Sequence, residues 1–271
     1  MRQIIFIIFL FLISVIDAQI KIYKTKNMET IINTNKMKIE VWSDIVCPFC
    51  YIGKRKFEQA FEQFQYKNNI ELIWKSYQLD TSIMQVDKQN YASYLSKRKG
   101  WSSQQVADIL ANVTNMAKNV GLDFHFEKAV VANSVNGHRL SHLAAKYKLQ
   151  DKAEEALFKA HFVEGKDISD KFILNELGKS IGLDTLEVEN VLKSNEYLDE
   201  VKKDILEAEE IGVTGVPFFV FNRKYAFSGA QDSKAFLQTI EKAYFEWEKE
   251  NKLKPLEIIN GQSCLIDGKC E

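Results

Sequence analysis

Hydrophobic and polar positions divide the chain into strand-like ends and a helical middle. Residues 38–42 alternate in polarity as a strand does, and residues 70–77 are rich in β-branched and aromatic side chains. Between them, from Cys47 to about Gln65, a helix is predicted. A strand, a helix and a second strand in this order favour a βαβ unit with parallel strands.

From about Asp87 to Ile211 nearly all of the apolar spacing is helical. The segment from Ser102 to Gln105 resembles a capping box, so a helix is predicted to begin there and to stop at Gly121. Further helices are predicted over residues 134–149, 151–163, 169–181, 185–193 and 195–211.

Strand signals return over residues 216–221 and, after a turn, over 225–227, which together predict a hairpin. A final amphipathic helix is predicted over 233–250. Without the helical block, the order β-α-β followed by β-β-α is that of a thioredoxin fold. The sequence therefore predicts an α/β protein, namely a thioredoxin fold with a large inserted all-helical domain.

These elements give a predicted domain organisation of six segments. They are a signal peptide (1–18), a linker (19–36), the first part of the thioredoxin-like domain (37–84), the helical insertion (85–194), the second part of the thioredoxin-like domain (195–250) and a cysteine-containing tail (251–271).

The N-terminus carries an uncharged run from Ile4 to Ile16, preceded by Arg2. The run is too short to span a bilayer comfortably and matches a secretory signal. A membrane anchor and a mis-assigned start are the alternatives, since Met28 and Met37 could each begin the chain. We favour export to the periplasm with no stable membrane insertion after processing, and the alternative is a cytoplasmic protein.

Composition narrows the classes of function. Hydrophobic residues make up 46% of the chain, which is enough for a sizeable core. The net charge of −1 gives no basic surplus, so no nucleic-acid partner is expected. The four cysteines lie only at the two ends, as Cys47, Cys50, Cys264 and Cys270, which indicates chemistry rather than a disulfide scaffold.

Cys47 and Cys50 form a CxxC pair between the first strand and its helix. A helix N-terminus favours a thiolate, and a thiolate attacks disulfides. We therefore predict Cys47 as the nucleophile, at the exposed helix end, and Cys50 as the resolving thiol. Pro48 suits the first helical turn, whereas Phe49 offers no hydrogen bond or charge and argues against the most oxidising potentials. A zinc half-site and two inert buried thiols are the alternatives.

Val216 and Pro217 form the second candidate site. A proline that opens a core strand can be cis, and in a thioredoxin fold this loop would lie against the dithiol. The backbone of Val216 could then pair with an extended substrate peptide. The alternative is that Pro217 simply begins an edge strand in trans.

Residues 43–55 (SDIVCPFCYIGKR), 133–140 (NSVNGHRL) and 212–219 (GVTGVPFF) resemble the DsbA-like thioredoxin family, in particular its FrnE-like branch. The similarity covers roughly residues 38–250. It implies protein disulfide oxidoreductase activity, although FrnE-like proteins are commonly cytoplasmic. The family includes glutathione-using 2-hydroxychromene-2-carboxylate isomerases, which typically carry Ser at the first cysteine position; Cys47 and Cys50 favour the redox branch.

His138 and Arg139, in the second of these motifs, have two interpretations. They could line the groove between the domains and bind a carboxylate or tune Cys47, or they could cap helices and bridge the domains. We favour the second. His125, His142 and His161 have no metal-site spacing, and no metal is predicted.

Cys264 and Cys270 are separated by five residues, with an Asp-Gly turn among them. They could form a second redox pair, a local structural disulfide, or half of a four-thiolate zinc site with Cys47 and Cys50. A disulfide is favoured, because zinc would occupy the catalytic thiols.

The leading functional prediction is a thiol–disulfide oxidoreductase that acts on protein or small-molecule thiols and disulfides with an unidentified redox partner. No bound cofactor is expected, and glutathione is a candidate thiol partner. The alternatives are a glutathione-dependent isomerase or transferase of small aromatic compounds, and a non-enzymatic zinc- or protein-binding module.

Overall fold

The computed structural model describes residues 36–83 and 90–251. The predicted signal peptide, nearly all of the linker, and the tail with Cys264 and Cys270 lie outside them. The chain divides into a compact unit, 36–245, and a second unit made of 1–35 and 246–271. Of the second unit only residues 246–251 are described, as the end of the last helix.

Four strands form one sheet in the order β2-β1-β3-β4. They are β1 (Met37–Ser43), β2 (Ile70–Ser76), β3 (Phe218–Phe221) and β4 (Tyr225–Ser228). The β1–β2 pair is parallel, which confirms the predicted βαβ unit, and β3 runs antiparallel to both β1 and β4. In β1 only Lys38 is exposed, as expected of a central strand that is covered on both faces.

Nine α-helices occur in the described residues. They are α1 (Pro48–Gln63), α2 (Tyr91–Lys99), α3 (Ser103–Lys118), α4 (Val135–Lys146), α5 (Gln150–Phe162), α6 (Lys171–Ser180), α7 (Thr185–Lys193), α8 (Leu198–Glu210) and α9 (Ser233–Asn251). A 3₁₀ turn, Lys67–Asn69, precedes β2. Because α2 to α7 all lie between β2 and α8 in the chain, the fold is a thioredoxin fold interrupted by a helical insertion, as predicted. No helix of residues 36–83 and 90–251 is long and apolar enough to cross a membrane.

Several local predictions are confirmed and two need correction. The capping box at Ser102 and Gln105 is present at the start of α3. In contrast, the sequence predicts a helical region from about Asp87 but gives no bounds for α2, because the apolar stripe of this helix is short and aromatic. Val216 and Pro217 precede β3 and are not part of it. The predicted domain boundaries stay predictions.

The loop from β1 to α1 is packed into the helical insertion. Ile45 is fully buried among apolar residues of the insertion, including Leu140 and Leu157. Gly137 of α4 makes this approach possible, since a Cβ at that position would lie 2.6 Å from Cδ1 of Ile45 and 3.4 Å from Cδ2 of Leu157. The glycine in the NSVNGHRL motif therefore lets α4 press against the loop that carries the dithiol.

We expect Gly137→Ala to destabilise the protein. Overpacking costs about 1–3 kcal/mol, which exceeds the roughly 0.5–1 kcal/mol gained from replacing a helical glycine. Ile45→Val removes the obstructing Cδ1, so its usual cost of about 0.5–1.5 kcal/mol should shrink or reverse in the Gly137→Ala background. Chemical denaturation of the two single variants and the double variant measures this coupling, and strictly additive costs would contradict the proposed contact.

Candidate active site

The dithiol lies at the N-terminus of α1. Cys47 is the N-cap residue in an extended conformation, Pro48 follows in the first turn, and the Cys50 N–H donates to the Cys47 carbonyl at 3.0 Å. Both thiols are free in the structure. Cys50 is fully buried, but Cys47 is also only 3% exposed, against the expectation of an exposed nucleophile. The reason is that the helical insertion covers this end of α1.

The environment of Cys50 favours its neutral form. Burial, followed by the interactions with Cys47, raises the pKa of the Cys50 thiol well above its usual value. The Ser43 side chain and the Asp44 backbone oppose this increase only in part. A thiol must ionise before it attacks. Because the neighbouring Cys47 thiol helps to raise the pKa of Cys50, Cys50 stays unreactive as long as Cys47 is free.

The loop of Val216 and Pro217 lies directly against Cys47. The peptide bond between these two residues is cis, and the Cys47 sulfur is 3.5 Å from the Val216 carbonyl oxygen. Gly53 of α1 allows the close packing, since a Cβ there would lie 3.0 Å from Cγ of Pro217. The structure therefore brings together the segment of Cys47, predicted to hold the nucleophile, and the loop of Val216 and Pro217, predicted to pair with the substrate.

Asp44 organises the loop that leads to the dithiol. It is fully buried, and its carboxylate accepts the N–H of Val46 at 3.3 Å and of Leu79 at 2.7 Å. Its backbone carbonyl accepts the N–H of Cys47 at 2.9 Å. One residue thus fixes the start of α1 and ties it to the segment after β2.

His138 faces the carboxylate of Asp44 from the insertion. It is 2% exposed, and its Nε2 lies 3.5 Å from Oδ1 of Asp44, which is an ion-pair distance rather than a well-formed hydrogen bond. Burial alone would lower the pKa of His138, but Asp44 outweighs it, with help from Glu154 and the backbone of Tyr77, so the pKa is raised. His138 therefore contacts the redox loop from the insertion.

Arg139 has a different position from its neighbour. Its guanidinium donates to the carbonyls of Val191, Ser194 at 2.7 Å and Glu196 at 2.8 Å, at and just after the end of α7. These contacts are those of helix capping. Arg139 does not line the cavity beside Cys47 in the described residues.

A second set of contacts anchors the first turns of α1 to α5. The Tyr51 ring stacks on Phe158 with centroids 5.0 Å apart, and its hydroxyl donates to Glu155 at 2.7 Å. Arg55 pairs with the same carboxylate. Lys54 is 1% exposed and is held by a cluster of carboxylates, among them Asp151 at 3.2 Å. Together these contacts fix the helix that carries the thiols against the insertion.

Cys47 lines a cavity of about 210 Å³. Phe49 also lines it and is 38% exposed, so the residue between the two cysteines lies at the surface. The remaining walls come mainly from α2, α3 and the segment after α3, and include Tyr91, Tyr94, Val113 and His161.

Three residues of this site, Asp44, Tyr91 and His161, are not predicted from the sequence. A carboxylate directly after an apolar strand and three residues before Cys47 is a usable signal for Asp44. His161 lacks metal-site spacing, but its place next to Phe162 on a helix with a buried face is a usable signal for a buried imidazole. Cys264 and Cys270 lie outside the described residues.

Comparisons with known proteins were consistent with this geometry. A family model for the DSBA-like thioredoxin domain matches residues 38–241. A solved structure of a probable DsbA oxidoreductase from Streptomyces coelicolor is 33% identical, covers 87% of this chain and 98% of its own, and gives a TM-score of 0.72. The uncharacterized protein YwbO of Bacillus subtilis (strain 168) is 29% identical over 191 residues, which cover 67% of this chain and 85% of YwbO.

A solved structure of 2-hydroxychromene-2-carboxylate isomerase is 16% identical, covers 79% of this chain and 98% of its own, and gives a TM-score of 0.54. At that identity the likeness shows a shared fold. The resemblance to DsbA-like proteins and to these isomerases, predicted from three short motifs, is confirmed.

The His138–Asp44 pair predicts a specific dependence of stability on pH. The pKa of His138 is raised in the folded state. Its contribution to the free energy of unfolding is therefore fully present below the pKa of an unfolded-state histidine, about 6.5, and is lost as pH rises through the pKa in the folded state. The difference in unfolding free energy between wild type and His138→Gln should therefore shrink from acidic to alkaline pH. Denaturation at several pH values checks this. His125→Gln, in a surface cluster, is the matched control, and a difference that grows with pH would contradict the pairing.

Proposed function

Because the chain belongs to the DSBA-like thioredoxin domain family, we propose that it exchanges disulfides with protein or small-thiol substrates through Cys47 and Cys50. The observation that carries this proposal is the position of the Cys47 sulfur, at the N-terminus of α1 and 3.5 Å from the Val216 carbonyl. A nucleophile and a backbone platform for a peptide are thereby side by side.

In the reductive direction, the Cys47 thiolate attacks one sulfur of a substrate disulfide. A mixed disulfide forms, and the other substrate sulfur leaves as a thiolate that takes up a proton. Cys50 then loses its proton, attacks the Cys47 sulfur and releases the second substrate thiol. Two electrons pass to the substrate, and the enzyme is left with a Cys47–Cys50 disulfide; oxidation of a dithiol is the reverse.

The environment of Cys50 supports the order of these steps. Interactions with Cys47 are among the causes that raise the pKa of Cys50. Once Cys47 is bound in a mixed disulfide it can no longer carry a charge, so this contribution disappears and ionisation of Cys50 becomes easier. The resolving thiol is thus held back until the first bond has formed.

The direction of electron flow depends on the compartment and the partner. Export would favour oxidation or isomerisation of substrate disulfides, and a start at Met28 or Met37 would favour reduction in the cytoplasm. Glutathione is the small thiol that we propose as a partner, in exchange with the dithiol and without a permanently bound cofactor. A glutathione-dependent isomerase would need only the first sulfur, whereas this chain also holds a buried second thiol.

We expect Cys50→Ser to abolish multiple-turnover reduction of insulin disulfides while still forming one mixed disulfide per molecule. Without the second thiol, the bond between Cys47 and the substrate is not resolved. Mass spectrometry of the trapped adduct and a turnover assay measure the two effects. The control Cys47→Ser should show neither turnover nor adduct. Full turnover of insulin by Cys50→Ser would contradict the dithiol mechanism, whereas isomerase activity that survives this substitution would favour the alternative function, which needs only the first sulfur.

The tail cysteines give a separate prediction. We expect Cys264 and Cys270 to form a disulfide in the purified oxidised protein, and to bind no stoichiometric zinc. Thiol counting in denaturant, with Cys264→Ser/Cys270→Ser as reference, and metal analysis test this. One zinc ion per chain that is lost in the double variant would contradict it. If removal of the residues after Pro255 leaves the reduction potential of Cys47–Cys50 unchanged, this would argue against a second redox pair in the tail that exchanges with Cys47 and Cys50.

A further inference from the structure

The cavity beside Cys47 has the size of a side chain. Its volume of about 210 Å³ is below the roughly 300–1,000 Å³ of pockets that hold drug-sized ligands. Because Cys47 forms part of its wall, an occupant of the cavity would be adjacent to the sulfur that Cys47 attacks. We therefore expect the occupant to be a side chain of the substrate, next to the cysteine that Cys47 attacks.

The walls favour an aromatic occupant. Val113 and Val131 are buried and apolar, and Tyr91 is buried with its ring stacked on Phe126 at a centroid separation of 5.5 Å. Aromatic rings gain additional energy from such neighbours in offset or edge-to-face arrangements.

Asp80 and Arg98 also line the cavity but pair with each other at 3.1 Å, and Lys99 is exposed. Among the described residues the lining therefore offers a charged occupant no countercharge that is both buried and unpaired, and burying such a charge is strongly unfavourable.

His161 adds a buried polar group without a partner to the cavity wall. It lines the cavity, is fully buried, and neither ring nitrogen has a hydrogen-bond partner among the described residues. Burial lowers the pKa of His161 to about 4, so the imidazole is neutral near pH 7, with one nitrogen that donates and one that accepts. A buried polar group without a partner costs about 1–3 kcal/mol, and such groups in native proteins usually have one.

We propose that this cavity binds the side chain of a tyrosine that flanks the substrate cysteine, and that His161 selects it by a hydrogen bond to the phenol hydroxyl. The proposal rests on the disulfide exchange proposed above. A phenol fits both properties of the cavity, because its ring matches the apolar walls and its hydroxyl can donate to or accept from a neutral imidazole. A phenylalanine would match the apolar walls but has no hydroxyl for His161. A serine has a hydroxyl but is too short to fill the cavity or to reach His161.

The test uses three symmetric peptide disulfides that are identical except for the residues on both sides of the cysteine, which are tyrosine, phenylalanine or serine. Reduction by the full-length reduced protein is followed chromatographically in single-turnover reactions, in which the Cys47–Cys50 dithiol is the reductant, and the second-order rate constants are compared. We expect wild type to prefer tyrosine over phenylalanine by about 2- to 10-fold, the range of one hydrogen bond, and both over serine. In His161→Phe the ratio of tyrosine to phenylalanine should fall to about one.

Two further variants sharpen the test. His125→Phe makes the same exchange on the surface and should keep the wild-type ratio. Leu110→Trp, on a half-buried position of α3 that lines the cavity, should fill it and bring both aromatic peptides towards the serine rate. Circular dichroism and thermal unfolding establish that each variant is folded.

The outcomes separate this proposal from the proposed function. If the serine peptide is reduced but wild type does not distinguish tyrosine from phenylalanine, or His161→Phe keeps the distinction, the tyrosine pocket is wrong while disulfide exchange stands; water would then be the partner of His161. If no peptide is reduced and Cys47 does not form a mixed disulfide, disulfide exchange itself is wrong.

Discussion

The buried carboxylate of Asp44 is the constraint on which the active site depends. A charge removed from water is stable only when it is paired and hydrogen-bonded, and Asp44 satisfies this condition with two backbone N–H groups and His138. Breaking a buried ion pair by removing one partner costs about 3–5 kcal/mol. The loop before Cys47, the segment after β2 and helix α4 must therefore keep their relative positions, and the start of α1 is fixed with them.

The helical insertion consequently forms part of the site and is not an appendage to it. Ile45 lies in the core of the insertion, and Cys47, Cys50 and Tyr51 share a second core with Phe124, Phe158 and Phe162. A minimal thioredoxin-like unit would leave the N-terminus of α1 open to solvent. Here the insertion covers Cys47, so any group that reaches its sulfur has to fit against the walls of the cavity beside it.

The sequence predicted the strands, eight of the nine helices and the meeting of the two active-site loops, because these depend on apolar periodicity and on recognisable punctuation such as Pro217 and Gly121. It did not predict that Cys47 would be covered, or that Asp44 and His138 would pair. Both depend on how the insertion packs on the thioredoxin part. Gly137 permits the contact with Ile45, but in the sequence it is only a residue that is unfavourable in a helix.

Two buried histidines of the insertion contribute opposite electrostatic properties to the site. His138, beside Asp44, has a raised pKa, whereas His161, which lines the cavity and contacts the aromatic rings of Tyr91 and Phe162, has a pKa lowered by burial to about 4. The residue type is the same, and the difference comes from a carboxylate at 3.5 Å in one case and none within hydrogen-bonding distance in the other. The insertion thus brings a basic group to the carboxylate of the loop that must be held in place and a neutral polar group to the cavity wall. A wall whose polar groups were all paired could not tell one aromatic ring from another, and the neutral imidazole of His161 is the group that is left to do so.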